Sequence, residues 1–348
     1  MSTSPVQIPP KAVLYYNPES LWCAAVLLAL EEKGYTDDDL EFKVVDLDRS
    51  DNFSPGYVRL NSGATVPTMV VPLQSSLVPD APRKFRALTD TKTILEFLDK
   101  TRSPMSRGRG QQPTYAPAPT LSPATVSLAE ISNTIIALLH QVPINFLMFA
   151  AINTQELQAQ ANGRPGTLVK NRSQALQRYL NDETDVAIPV IRTLWESRLV
   201  EVDILRQVYE TANKPDGDLS PEELKGREVF FEKSVNAWLA IRDVFLRLEK
   251  DIIGPHVLGD QLSLVDLHLV AWVTRLFFLA GAPLPPLQKT PQISDIVDAP
   301  YPGYNNLEET IRKHTGDNGF TLGPKIRTFW TALKDRDSWV KVYGNGLH

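Results

Sequence analysis

The hydrophobic pattern near the start of the chain predicts a strand followed at once by a helix. Residues 12–16 (AVLYY) are apolar or aromatic and uncharged, as in a strand that is buried on both faces. From Ser20 onward the apolar residues recur with a helical period, at Cys23, Val26, Leu27 and Leu30. Ser20 is the expected N-cap of this helix and Gly34 its expected C-cap. The unpaired amides at the helix start favour an anion there, whether phosphate, carboxylate or thiolate.

A second and a third strand are predicted after this helix. Residues 41–46 (EFKVVD) complete a strand–helix–strand unit, which predicts a parallel pair. Residues 49–61 are interpreted as a polar connector. The step Val66-Pro67 then leads into a short apolar strand at 68–71. Since proline cannot donate a hydrogen bond to a neighbouring strand, we expect this strand at an edge of the sheet.

A last strand and a helix complete the predicted N-terminal domain. Residues 85–88 form the strand, and residues 90–100 (DTKTILEFLDK) have a helical period with Thr89 or Asp90 as the cap. The order of strands and helices predicts a small α/β domain over residues 11–100.

The pattern changes after this domain. Residues 101–124 contain many prolines and little apolar content, and they predict an extended linker. Beyond it no strand pattern returns, so residues 125–348 predict an all-α domain. Helices are expected at 126–149, 168–180, 186–212, 221–251, 258–281, 325–333 and 338–343.

Residues 131–155 carry no charge and could suggest a membrane span. His140, Pro143 and several amides interrupt the stretch, however. A buried helix that kinks or stops near Pro143 is therefore the preferred interpretation, and we expect no stable membrane insertion.

Composition excludes several classes of protein. Apolar residues make up 43% and charged residues 22% of the 348 residues, which is ordinary for a soluble globular protein. The 36 basic and 41 acidic residues give no electrostatic case for nucleic acid. The single cysteine excludes an intramolecular disulfide and any Cys-rich metal site, so we expect no metal. The first ten residues have no secretory or organellar pattern, and a cytoplasmic location is expected.

Four motifs occur in order along the chain. They are the strand–helix–strand unit, the Val66-Pro67 step, the polar pair Asp90-Thr91 at a helix start, and Ser263 with Asp266 before a late apolar run. The spacing of Ser263 and Asp266 predicts a structural cap rather than a catalytic carboxylate. In this order the motifs resemble the glutathione transferase family, of a theta-like, omega-like or fungal type with a long insertion in the helical domain, at about residues 150–220.

The resemblance implies a thioredoxin-like N-terminal domain followed by an all-α domain. It also implies a cis Val66-Pro67 bond, beside which the backbone of Val66 would pair with glutathione as a short strand would. The γ-glutamyl carboxylate would bind the Thr91 hydroxyl and the first helix amides, and its ammonium group would bind Asp90. The alternative is that Asp90 and Thr91 only cap the helix.

Glutathione chemistry also requires a group that stabilises the thiolate. Lowering a thiol pKa from about 8.5 to roughly 6.5 takes about 2.7 kcal/mol of preferential thiolate stabilisation. By the resemblance, Ser20 matches the active serine of the theta-like branch, and Tyr16 lies where the tyrosine branches place their hydroxyl. Cys23 would indicate a reductase like the omega branch, but it shares its helix face with apolar residues and should be buried. Ser20 is preferred, Tyr16 is the second candidate, and the absence of any catalytic residue stays open.

The resemblance therefore predicts an enzyme that activates glutathione, as co-substrate, for conjugation to a small electrophilic molecule, in detoxification or in a biosynthetic pathway. A homodimer is the expected assembly. The alternatives are a non-catalytic binding or regulatory protein of the same fold and a glutathione-dependent isomerase, lyase or reductase.

Overall fold

The N-terminal region forms a mixed sheet covered by helices. The computed structural model describes residues 10–73, 84–102, 118–182, 189–285 and 301–348. The strands are β1 (Ala12–Tyr16), β2 (Leu40–Val44), β3 (Thr68–Pro72) and β4 (Phe85–Leu88), and the helices are α1 (Leu21–Glu32), α2 (Pro55–Leu60) and α3 (Thr91–Thr101). The sheet order is β2-β1-β3-β4, with β1 parallel to β2 and the other two pairs antiparallel. This arrangement confirms the predicted thioredoxin-like fold class.

Two expectations about this region were wrong. The segment predicted as a polar connector contains a 3-10 turn at Asp51–Phe53 and the short helix α2, whose first residue is a proline. The strand after Val66-Pro67 is internal, between β1 and β4, rather than at an edge. Pro67 lies one residue before β3 and therefore takes no donor away from the sheet.

Helix α1 is buried on most of its surface. It packs against α3 and also against the later helices α9 and α12. Leu21, Ala24, Ala25 and Leu28 are buried in addition to the predicted face, whereas Leu27 is only half-buried. The helix therefore joins the sheet region to the helical remainder.

From residue 118 onward the regular elements among the described residues are helices, apart from one isolated bridge between His256 and Gly259. The helices are α4 (Val126–Gln141), α5 (Thr154–Asn162), α6 (Arg164–Asn181), α7 (Pro189–Glu210), α8 (Pro221–Asp251), α9 (Leu264–Leu279), α10 (Gly303–Thr315), α11 (Pro324–Lys334) and α12 (Asp337–Tyr343). Helices α5 and α10 were not predicted. Most of the predicted linker, residues 103–117, lies outside the described residues, and the domain limits 11–100 and 125–348 stay predictions.

The helix α4 stops before Pro143, as expected, and a 3-10 turn follows at Ile144–Met148. Together they form a segment, Val126–Met148, whose length and mean hydropathy of 1.3 would suffice to cross a membrane. Core helices of soluble proteins meet the same criterion, but the helix was expected to be buried and only about a third of this segment is. One face of α4 packs against α8 and α9. The absence of membrane insertion stays a prediction.

Two hydrophobic cores hold the chain together. The larger core combines the sheet, α1 and α3 with α4, α8, α9 and the last helices. The smaller core forms where α5, α6 and α7 pack onto the N-terminal residues Phe53, Val58 and Ala64. Trp195 of α7 is fully buried there and donates from Nε1 to the Phe53 carbonyl at 3.0 Å. The helices of the predicted insertion therefore cover one face of the N-terminal region.

Candidate active site

Ser20 lies at the start of α1, at the end of a turn built by Asn17. The Asn17 side chain donates to the Val45 carbonyl at 3.0 Å and accepts from the Glu19 N–H at 3.0 Å, while its carbonyl accepts from the Ser20 N–H at 3.1 Å. Ser20 is the N-cap by position, but its side chain makes no capping hydrogen bond. Its hydroxyl is therefore not needed to satisfy the helix amides.

Cys23 faces the core, as predicted, and has no exposed surface. Burial raises the pKa of its thiol to about 12, against the opposing effect of hydrogen bonds with the Ser20 side chain and the Asn17 N–H. The Asn17 nitrogen lies 3.5 Å from Sγ. A thiol in this state is neither a nucleophile nor a metal ligand at neutral pH.

Cys23 should therefore resist alkylation in the folded protein. We expect iodoacetamide at pH 7.5 to leave native protein unmodified by intact-mass spectrometry and to modify it once in denaturant, because the thiolate is both scarce and inaccessible. Cys23→Ala should retain glutathione-dependent activity. Rapid alkylation of the native protein, together with loss of activity in Cys23→Ala, would show that the Cys23 thiol is reactive.

Tyr16 lies at the carboxyl end of β1. Its ring packs edge-on against Phe42 of β2, with 5.7 Å between the ring centroids. Since β2 and β3 flank β1 on opposite sides, the ring lies on the side of β1 away from Val66-Pro67.

The segment before β3 is fixed by a buried network. Asn61, only 3% exposed, donates from Nδ2 to the Thr65 carbonyl at 2.8 Å and to Thr68 Oγ1 at 2.9 Å. The Tyr57 hydroxyl binds the same two groups, at 2.5 and 2.9 Å. The Val66-Pro67 bond is cis, as predicted. The backbone N–H and C=O of Val66 have no hydrogen-bond partner among the described residues.

Asp90 and Thr91 start α3. The Asp90 carboxylate is the N-cap and accepts from the Thr93 N–H at 2.9 Å and from the Thr93 hydroxyl at 3.1 Å. Thr91 is only 5% exposed, and within the described residues its hydroxyl has no partner. Asp90 thus has a structural role whether or not it also binds a ligand, whereas the Thr91 hydroxyl has none assigned.

The strand register brings these three segments together. Thr68 pairs with Tyr15, and Leu88 pairs with Met69, so the end of β1, the start of β3 and the end of β4 lie side by side.

Residues 19–101 match the family model described as Glutathione S-transferase, N-terminal domain. The N-terminal domain belongs to this family. The match contains the candidate residues Ser20, Val66, Pro67, Asp90 and Thr91 but not Tyr16.

No curated protein sequence matches the chain. Solved structures similar to it include Gtt2 from Saccharomyces cerevisiae, with 12% identity over 95% of this chain and 99% of that chain and a TM-score of 0.47. The beta-etherase LigF from Sphingobium sp. strain SYK-6 has 13% identity over 97% and 100% of the chains and a TM-score of 0.49. A glutathione transferase homolog from Sulfitobacter with bound glutathione has 18% identity over 97% and 99% and a TM-score of 0.41. These similarities are too distant to carry an argument about chemistry.

The structure also shows an aromatic cluster, formed where α1 meets α4 and α9, that the sequence pattern did not reveal. The Trp22 ring of α1 stacks on the His140 ring of α4, with 3.8 Å between centroids and 11° between planes. His140 Nε2 lies 3.2 Å from Nδ1 of His268 on α9. The Asp90 carboxylate is close enough to raise the pKa of His140 against the larger lowering by burial. The cluster therefore lies between the starts of α1 and α3.

Two arginines also lie near the start of α1. Arg275 of α9 is 9% exposed and donates from Nη2 to the Glu19 carbonyl at 2.5 Å, and it has no ion-pair partner among the described residues. Arg164 of α6 pairs with Glu19 at 2.5 Å and with Asp48 at 3.0 Å. Arg275 adds to the positive potential of the helix start next to Ser20, whereas the charge of Arg164 is compensated by two carboxylates.

Asp266 has the structural role that its spacing predicted. Its carboxylate is fully buried and accepts from the Ser263 N–H at 2.7 Å, from the Ser263 hydroxyl at 2.5 Å and from the Val257 N–H at 2.7 Å. No oxygen of this group is available to a substrate, so it belongs to the fold.

Proposed function

We propose that the chain is a glutathione transferase that binds glutathione across the starts of α1, β3 and α3 and conjugates it to a small electrophile. The register of β1, β3 and β4 supports this proposal. It aligns, at one end of the sheet, the strand ends next to the Ser20 hydroxyl, the unpaired backbone of Val66 and the polar start of α3. A short peptide with a thiol side chain on its central residue and a zwitterionic amino-acid group at one end fits these three features.

The role of each residue follows from its surroundings. The Val66 N–H and C=O would pair with the peptide backbone, the unpartnered Thr91 hydroxyl and the α3 amides would receive the γ-glutamyl carboxylate, and Asp90 would receive the ammonium group. The thiolate would accept a hydrogen bond from Ser20 at the positive end of α1, with the Arg275 guanidinium nearby. The electrophile would enter from the side of the helical remainder.

Glutathione-agarose retention followed by an electrophile panel tests the proposal. We expect the protein to be retained, to elute with free glutathione but not with glycine, and to conjugate at least one class of electrophile. Retention without conjugation would favour the non-catalytic binding or regulatory protein. Failure of retention would remove glutathione as the ligand of these residues.

Asp90→Asn should weaken glutathione binding without weakening the helix. Asparagine caps a helix as well as aspartate does, so the change removes the negative charge but keeps the cap. Loss of one charge-assisted contact predicts a Kd about tenfold higher by calorimetry, with the unfolding midpoint nearly unchanged. Glu96→Gln, on the exposed side of the same helix, is the matched control. Unchanged affinity in Asp90→Asn would restrict Asp90 to capping.

A further inference from the structure

The His140 and His268 pair has the geometry of a proton-transfer unit. His140 stands at the exposed end of α4, stacked on Trp22, and its Nδ1 has no hydrogen-bond partner among the described residues. Its Nε2 meets Nδ1 of His268, which is fully buried and has an unpartnered Nε2. Because one proton must lie between the two facing nitrogens, each histidine fixes the tautomer of the other.

Desolvation by the neighbouring residues favours the neutral form of both rings. Burial, followed by the nearby charges of His140 and Lys92, lowers the pKa of His268 to about 3. Burial also lowers the pKa of His140, and Asp90 opposes that effect. If His140 carries its proton on Nε2, it donates to His268 Nδ1 and exposes a free lone pair on Nδ1. A proton taken up there would be stabilised by Asp90 and by the hydrogen bond to the neutral His268 ring.

We propose that His140 is the acid–base catalyst of this site, that His268 is its positioning residue, and that the electrophiles served are α,β-unsaturated carbonyl compounds. The inference rests on the glutathione transferase function proposed above. The thiolate, whose proton leaves to solvent when glutathione ionises beside Ser20, bonds through sulfur to the β-carbon while the C=C electrons move to the carbonyl oxygen as an enolate. His140 Nδ1, which takes up one proton from solvent, then delivers it to the α-carbon. Glutathione and the enone give one thioether, with no net proton and no oxidant.

The substrate class follows from the fate of that proton. Displacement of a halide needs the thiolate but returns no proton to the product. Addition to an enone is complete only when the α-carbon is protonated. A protonated imidazole at the site therefore assists addition more than displacement.

His140→Gln separates these two reactions. The glutamine amide can still donate to His268 Nδ1 but cannot accept a proton, and position 140 is exposed, so the fold should persist. With a cyclic enone we expect kcat to fall by about a hundredfold, whereas kcat for an activated aryl halide should change by no more than about threefold. Equal losses with both electrophiles, or a change confined to KM for glutathione, would overturn the proposal. Absence of conjugation with both electrophiles in the wild type would instead count against the proposed function.

His268 is tested through product stereochemistry as well as rate. In D₂O the wild type should deliver deuterium to one face of the α-carbon of the enone, as read by NMR. His268→Leu should give a mixture of diastereomers, and His268→Asn, whose amide can occupy the Nδ1 position, should restore much of the selectivity. A purely structural role predicts that both variants lose stability alike and that the product formed by each keeps the wild-type stereochemistry.

Discussion

Ser20→Ala should lower kcat/KM for conjugation by roughly fiftyfold, with glutathione binding largely retained. A hydroxyl hydrogen bond to a thiolate contributes about 2 kcal/mol, and the remaining stabilisation would come from the α1 amides and Arg275. Since the Ser20 side chain makes no capping bond, alanine tests the chemistry at this position rather than the stability of the helix.

The most direct measurement is the ionisation of bound glutathione. The pKa of its thiol, followed by the ultraviolet absorbance of the thiolate, should rise by about 1.5 in Ser20→Ala. Ser20→Thr retains a hydroxyl and should stay near the wild type. Tyr16→Phe is the matched control at the neighbouring candidate and should leave the thiol pKa unchanged.

The opposite pattern would reassign the catalytic group. Activity unaffected by Ser20→Ala but lost in Tyr16→Phe would mean that the Tyr16 ring turns away from Phe42 when glutathione binds. If neither variant loses activity, the thiolate is stabilised by the helix start and Arg275 alone, which is the case without a catalytic hydroxyl.

Local pattern was sufficient to predict the four strands, α3 and the capping pair Ser263 and Asp266, because each depends on residues near one another in sequence. The cis Val66-Pro67 bond was implied by the family resemblance, and the position of β3 in the sheet was predicted wrongly. Local pattern failed for α2, where six residues after a proline are too few for a period to be recognised. It also described α1 as having one buried face, since the period of a helix does not reveal that α9 and α12 cover the other sides. The candidate site residues of the N-terminal domain could thus be named from sequence, although their roles stay proposals.

The contacts that the sequence could not supply join distant segments. His140 and His268 are 128 residues apart, and Arg275 reaches Glu19 across 256 residues. The residues next to a lone histidine or arginine in a helix do not indicate which distant residue it contacts. The same is true of Lys33 and Asp99, which lie at the ends of two helices where charged residues are ordinarily exposed.

Lys33 and Asp99 form a buried junction between the N-terminal region and the start of the helical remainder. Lys33 is 2% and Asp99 4% exposed, with 2.8 Å between Nζ and Oδ1. Lys33 also donates to the Pro119 carbonyl, and Asp99 accepts from the Leu121 N–H and from Ser122. The carboxylate therefore satisfies a buried ammonium group and the incoming backbone together.

Asp99→Asn should lower the free energy of unfolding by about 3 kcal/mol, because it leaves the Lys33 ammonium group buried without a counter-charge. Urea unfolding followed by near- and far-ultraviolet circular dichroism measures the loss. Glu96→Gln, which alters an exposed pair at 3.8 Å on the same helix, should cost about 0.5 kcal/mol or less. The double variant Lys33→Met/Asp99→Asn removes the unpaired charge and should be more stable than Asp99→Asn alone. A double variant that is less stable would show that the pair acts through packing.

The pH dependence of the free energy of unfolding tests the role of the Asp99 charge independently. Burial raises the pKa of Asp99, but hydrogen bonds from Lys33, Ser122 and the Leu121 N–H outweigh it and hold the pKa below its ordinary value. A carboxyl group with a lowered folded-state pKa stabilises the protein fully above the unfolded-state pKa, about 4, and loses that contribution as the pH falls through the folded-state pKa. The stability difference between wild type and Asp99→Asn should therefore be constant between about pH 5 and 7 and shrink below about pH 4. A difference that persists undiminished in acid would mean that the cost of Asp99→Asn arises from the amide group itself and not from the lost charge.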